Sequence, residues 1–344
     1  MSFTRIENTD FVISADSVTA PAWSNNAYAL TSFYTASSNV TGSYFIDVYS
    51  APYTGSTSEV QFSIAYGRSD AGGSAPLNSS ISTRTPTRIT FGQYRNLIYG
   101  DAETSVNFGT GNTSSVDLIA LQVDRNRYKE GLFPGTFNLW LSGSTEIIKL
   151  TDNSNIVSTI TYVDGGRVYT LISGSSGALT TAPPRSGGIT GSTAQGNYGL
   201  YLPDIGLVLL NPLALTASVV QGGVNLVLDK TSATVAASSA NHDNIFRMIS
   251  LGSYFTLNSQ ETISSDYIFV RIKNSEYNYS TNPSFISGST GELIYSNFIN
   301  SPQTYPTTVG MYNDNNELLA VAKLSKPLTK DFTKEALIRV KLDW

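Results

Sequence analysis

The chain contains no cysteine and a single histidine, His242. Without cysteine there is neither a disulfide framework nor a thiolate for catalysis or metal binding. With one imidazole, any Ser-His-Asp arrangement must use His242, and Asp243 stands too close in sequence to be its orienting partner. No G-x-S-x-G stretch occurs, and at the head of "ANHDNIF" the histidine reads as a solvent-facing or capping residue. Charge is scarce too: Asp, Glu, Lys and Arg make up 14% of the chain, and 21 basic residues stand against 26 acidic ones, net −5. A nucleic-acid groove needs a basic patch, so that balance argues against one. No apolar run approaches the roughly 20 residues that span a bilayer. The start, "MSFTRIENTDFVIS", lacks the basic and then apolar order of a signal peptide, so synthesis in a cytoplasm is expected. The Asn-x-Ser/Thr sequences at Asn39, Asn78, Asn112 and Asn278 therefore have no secretory context. The oxygen-rich stretches "TDNSN" from Thr151 and "YNDNNE" from Tyr312 lack the glycine at six and glutamate at twelve of a calcium loop and read as turns. "SGSSG" and "SGG" lack the Lys-Ser/Thr of a phosphate cradle. The expectation is no catalytic residues, no metal and no cofactor.

What is plentiful is Ser, Thr, Asn and Gly, together with 20 Tyr and 15 Phe. β-Branched and aromatic side chains suit a pleated surface, and Asn, Ser and Gly suit the turns between strands. At 344 residues and 40% hydrophobic content the chain can bury real cores. The fold class expected is mainly β, with antiparallel, sandwich-like sheets, one or two short helices and a long Gly/Ser/Thr-rich arm.

Alternation supports this along the chain. Tyr44, Ile46 and Val48 share one strand face, and so do Val60, Phe62, Ile64 and Tyr66. "TPTRITFGQYRNLIYGD" breaks the pattern: Pro86 follows Thr85 as a first-turn proline, and Phe91, Tyr94, Leu97 and Ile98 recur at helical spacing. Strands resume in "VDLIALQV" and "TFNLWLSG". From Thr151 to Gly199 the texture changes: strand-like "VSTITYV" and "RVYTLISG" are followed by "GSSGALTTAPPRSGGITGSTAQGN", which cannot bury enough apolar surface to order itself. This gives a partition into a mainly β N-terminal domain over 1–150, an extended arm over 151–199 and a mainly β C-terminal domain over 200–344. Leu207 to Leu210 is a continuous apolar run, as in a strand buried on both faces. "ANHDNIFRMISLGSYF" reads as a helix with Asn241 or Asp243 as N-cap. "YNDNNE" is turn chemistry between two apolar runs, so Thr307 to Leu324 should fold back as an antiparallel hairpin ended by Pro327. In "EALIRVKLDW", Ala336, Ile338, Val340, Leu342 and Trp344 share a face of a last strand.

Several of these stretches resemble a known family. "AYGRSDAGGS" from Ala65, "QYRNLIYGD" from Gln93, "DRNRYKEGLFPGTFNLWL" from Asp124, "NPSF" at Asn282 and "YPTTVGMYNDNNELLAVAKLSKPL" from Tyr305 look like a virion structural protein of contractile-tailed phages of cyanobacteria and related marine bacteria. The "VGMYNDNNELLAVAKL" element is also similar to a hairpin of fibre and baseplate proteins. The resemblance covers most of the chain outside roughly 151–197. It implies a non-enzymatic virion component of the tail baseplate or fibre-attachment region, assembled in the host cytoplasm. Its implied partners are other virion proteins and further copies of itself, with no nucleic acid and no membrane. The alternatives are a receptor- or glycan-binding tail protein, a neck or capsid-associated structural protein and, third in the enzyme class, a polysaccharide-degrading tail enzyme.

Two charge features nominate interface residues. Arg125, Arg127 and Lys129 crowd one loop with Glu130. From Lys323 to the C-terminus, six basic residues, Lys323, Lys326, Lys330, Lys334, Arg339 and Lys341, face three acids, giving +3 against −8 for the remainder. The lysines there serve either partner docking or protection of an edge strand.

Overall fold

The computed structural model describes residues 4–36, 45–72, 74, 76, 80–81, 83–101, 105–109, 114–142, 147–179, 197–217 and 235–343. The chain forms two compact units, one of Val18–Glu261 and one that joins Met1–Ser17 to Thr262–Trp344. This partition differs from the sequence division at 150 and 199. Strand pairing sets the units, and the compositional change near Thr151 does not interrupt a sheet.

The larger unit is organised on one antiparallel sheet. Its order runs Ala29–Leu30, Phe255–Thr256, Asn138–Ser142, Ile147–Asp152, Gly166–Ser175, Gly199–Leu202, Leu207–Leu210, Asp117–Val123, Val60–Arg68, Phe45–Tyr49 and Tyr34–Thr35. Register places Ile64 beside Leu121, Leu121 beside Val208, and Val208 beside Tyr201, and this row belongs to one apolar core. The alternate row, Ala65, Ala120, Leu209 and Leu200, belongs to a second core on the opposite face. Both faces are therefore covered, which is why Leu207–Leu210 is apolar without alternation and fully buried.

A helix covers each face. Pro86–Tyr99 starts as the sequence predicts: the Thr85 hydroxyl accepts from the Arg88 N–H at 3.3 Å, Pro86 fills the first turn, and Gly100 closes it at φ +66°. Phe91 and Ile98 face the second core, while Leu97 points outward. The other helix, Val235–Gly252, sets Ile245, Met248 and Ile249 into the first core. It begins six residues before Asn241, so neither Asn241 nor Asp243 is its N-cap, because the alanines of "VAASSA" favour helix and no Gly or Pro interrupts them. Both helices approach the sheet through a glycine. A Cβ on Gly67 would lie 2.8 Å from the Phe91 backbone nitrogen, and one on Gly252 would lie 2.0 Å from the Trp140 carbonyl oxygen. Two shorter α-helices, Pro212–Ala217 and Asn297–Asn300, complete the α-helices among the described residues.

An aromatic centre holds the first core. Trp23 donates its indole N–H to the Phe255 carbonyl at 2.8 Å. The Phe255 ring meets Trp23, Phe62 and Phe137 at centroid distances of 4.8, 5.3 and 5.5 Å, mostly edge-on, as the ring quadrupoles favour. Much of the segment expected to be an arm is sheet: Ile147–Asp152, Thr161–Val163, Gly166–Ser175 and Ala178–Leu179 are strands, and Leu171, Ile172 and Ser173 are buried. The Gly/Ser/Thr/Pro run over 180–196 lies outside the described residues.

The smaller unit is thinner. Its main sheet orders Phe11–Pro21, Asn258–Ile272 and Ala336–Asp343, the first two strands running past the unit's bounds at Ser17 and Thr262, with Ile268 opposite Val340 and Val270 opposite Ile338. The hairpin expected from "YNDNNE" is present as Thr308–Tyr312 and Leu318–Lys323. Its turn is held by Asn313, whose side-chain oxygen accepts from Asn315 N at 3.0 Å and Glu317 N at 2.8 Å, with Asn316 at φ +62°. Val309, Met311, Ala320 and Ala322 pack inward against Ile268, Ile272, Ile338 and Val340.

Candidate interaction surface

The two sequence-nominated basic clusters have different fates. In the first, Asp124 caps a short 3-10 turn, Arg125–Arg127, by accepting from Asn126 N at 2.9 Å. Arg125 donates to the Tyr128 carbonyl at 2.6 Å and lies 4.7 Å above the Tyr128 ring. Arg127 pairs with Glu59 at 2.8 Å. Both guanidiniums are engaged within the protein, although Arg125, like Lys129, is exposed, and the Lys129 backbone N–H donates to Ser259 Oγ at 2.9 Å.

In the second cluster Lys330 corrects the sequence reading. It lies inside the smaller unit, 0% exposed, and its Nζ donates to Asn274 O at 2.9 Å, Asn278 Oδ1 at 2.9 Å and Asp331 O at 2.8 Å. Three ammonium protons meet three neutral acceptors, which is what a buried lysine without a carboxylate requires. It ties Asn274–Asn278 to the strand Lys330–Asp331 and cannot face a partner. Lys334 reaches Asp331 at 3.3 Å, and Lys341 reaches Asp343 at 2.9 Å. The Thr333 hydroxyl, then Lys334, holds the Asp331 carboxyl below its ordinary range, and Ser265 with Lys341 does the same for Asp343. Arg339 and Lys341 also sit 5.6 and 5.9 Å from the Tyr267 ring. Lys323 and Lys326 are exposed and pair with no carboxylate among the described residues.

What charge counting missed is apolar. On the outer side of the hairpin Leu319 is 68% exposed and Val321 59%, joined by Tyr312 and Leu318. The segment 274–301 adds exposed Tyr279, Tyr295 and Ile299, and within it Phe285 stacks on Phe298 at 4.9 Å. Among the described residues sixteen large apolar side chains stand exposed in the smaller unit and fifteen in the larger, though the larger has more than twice the length. The smaller unit's buried core residues among those described are Ile268, Ile272, Met311, Ile338 and Val340, each 5–8% exposed, with eight partly buried apolar side chains packed against them. A signal for this was present in "ELLAVAKL", where Leu319 and Val321 are apolar at the positions that alternate with the inward alanines.

Further buried polar groups lie in the larger unit. Tyr66 donates to Asp117 at 2.7 Å and Arg68 to the same oxygen at 2.8 Å; burial and that carboxylate push the Tyr66 phenol well up. Asp152 accepts from Gly135 N at 2.9 and 3.0 Å and from Ser154 N at 3.0 Å, yet burial raises its carboxyl above the usual range. His242 is 2% exposed within Val235–Gly252, so it neither caps a helix nor faces solvent. Among the described residues no group of three His, Asp or Glu side chains could hold a metal, and no helix is long and apolar enough to cross a membrane. Comparison with protein-family models, with curated proteins and with solved structures finds no match to the chain.

Proposed function

We propose that the chain is a non-enzymatic structural component of a phage virion, placed in the tail baseplate or fibre-attachment region, where it holds neighbouring subunits together. The observation that carries the assembly role is the smaller unit: a five-residue core beneath an apolar exterior is the balance of a module completed by association. The phage context rests on the resemblance of the quoted motifs. On this reading the partners are other virion proteins and copies of the same chain, and the protein resides in the virion after assembly in the host cytoplasm. Mass spectrometry of density-purified particles should find it in fixed stoichiometry, and immunogold labelling should place it at the distal tail. Absence from washed particles would overturn the reading, and labelling at the neck or capsid would move the address.

A second reading, receptor or glycan binding, is favoured by the segment 274–301, where exposed Tyr279 and Tyr295 stand among asparagines and serines with only two acids, Glu276 and Glu292. Aromatic faces with amide and hydroxyl groups suit sugar stacking. Binding on a glycan array that is lost in Tyr279→Ala and Tyr295→Ala would favour it.

A further inference from the structure

The strand Phe11–Pro21 ends its sheet: Asn258–Ile272 pairs with one side, and among the described residues no strand pairs with the other. Nine of its eleven residues are exposed, including Phe11, Val12, Ile13 at 66% and Val18. Edge strands are normally short, kinked or studded with charge, because an open row of N–H and C=O groups recruits further strands. This one is long and carries a single charge, Asp16.

We propose that a second copy of the chain pairs antiparallel with this edge, with the twofold axis through Ala15. When identical edges meet antiparallel, residues that direct their backbone groups outward must face each other, so partners share parity and the axis passes through a residue. Five registers place the axis within two residues of the strand's midpoint at Asp16, and axes at Ser17 and Val18 set Asp16 against Val18 and Ala20. An axis at Asp16 sets Asp16 against Asp16, a like-charge pair. An axis at Ser14 sets Asp16 against Val12. An axis at Ala15 sets Val12 against Val18, Ile13 against Ser17 and Ser14 against Asp16, joining apolar to apolar and a hydroxyl donor to a carboxylate. The last register alone has no mismatched charge. A twofold contact also closes on itself, so the edge is consumed in a dimer and does not propagate a fibre.

The inference needs only the strand edge and not the particle. A dimer absent from virions would overturn the proposed function alone, and a virion protein monomeric in solution would overturn the dimer alone. Because the chain has no cysteine, introduced thiols report cleanly. Opposed residues in antiparallel strands have Cα atoms about 4.5–5.5 Å apart, within disulfide range. Two Val12 residues would lie six positions apart along the strands, about 20 Å. Sedimentation of the purified full-length protein should give twice the chain mass. Ala15→Cys should oxidise to a covalent dimer, Val12→Cys should remain uncrosslinked, and Ser14→Asp should weaken association about tenfold or more at low salt by opposing Asp16. A monomer at tens of micromolar, or equal crosslinking of the Ala15→Cys and Val12→Cys proteins, would overturn the proposal and leave the edge to a different chain.

Discussion

Lys330 shows how a single side chain changes sides once its surroundings are known. As sequence it belongs to a basic run, and nothing in "PLTKDFTKE" distinguishes it from Lys334; its three acceptors come from residues 52 to 56 positions away and from the next peptide. Replacing it by methionine keeps the stem but leaves those acceptors unpaired, so Lys330→Met should cost the smaller unit about 2 kcal/mol, read as a lower urea midpoint. Equal stability would mean that the acceptors are hydrated in the native state. Asp152 supports a prediction with a sign. Burial raises its folded-state pKa, so the folded protein holds that proton more tightly than the unfolded chain does, and this contribution to stability falls as pH rises through the interval between the two values. Asp152→Asn lacks the dependence. The difference in Tm should therefore move in favour of the wild type as pH falls from about 7 to about 4, and a flat difference would contradict the desolvated carboxylate. Neither behaviour could be read from "TDNSN", because the Gly135 N–H that contacts Asp152 arrives from another loop.

At the scale of elements the sequence was a good guide wherever periodicity decided. Phe62, Ile64 and Tyr66 share a buried face as their spacing predicts, Thr85 and Pro86 open the first helix, and the Asn-rich turn makes its hairpin. It misled where tertiary packing decided: His242 looked like a residue at a helix start, yet the helix had already begun at Val235. Close helix-to-sheet approach is equally hidden in composition. Gly252→Ala would drive a methyl group into the Trp140 carbonyl at 2.0 Å, so it should destabilise the larger unit by about 3 kcal/mol or prevent its folding, measured by thermal melting. The hairpin carries the test of electrostatic docking. Lys323→Glu with Lys326→Glu leaves folding unchanged by circular dichroism, because both side chains are exposed, and should lower incorporation into particles if the basic rim meets a partner. Normal incorporation would assign those lysines to edge protection.

For the whole molecule the contrast between units matters more than any residue. The larger buries both faces of its sheet under a helix, and most of its core side chains are fully buried, whereas every core member of the smaller retains some exposure. Hydrogen exchange should follow that contrast: amides of Leu207–Leu210 should be protected far longer than those of Thr308–Tyr312 and Leu318–Lys323 in the free protein, and association should slow the latter. Comparable protection in the free protein would show that the smaller unit is self-sufficient. The mainly β class was legible from composition, but the pairing of units was not, because no local pattern announces that residues 11–21 seek residues 258–272 as sheet neighbours.

That pairing bears on how the protein comes into being. Met1–Ser17 leaves the ribosome well before the rest of its unit, which begins only at Thr262. At about 5–20 residues per second, the nascent N-terminal strand waits roughly 12–50 s for its neighbour, apolar and unpaired throughout. The larger unit can condense during that delay, since every strand of its main sheet lies within Val18–Glu261, and the smaller one is obliged to form last. A chaperone that shields emerging apolar segments should therefore raise the soluble yield of the full chain more than that of a fragment starting at Val18.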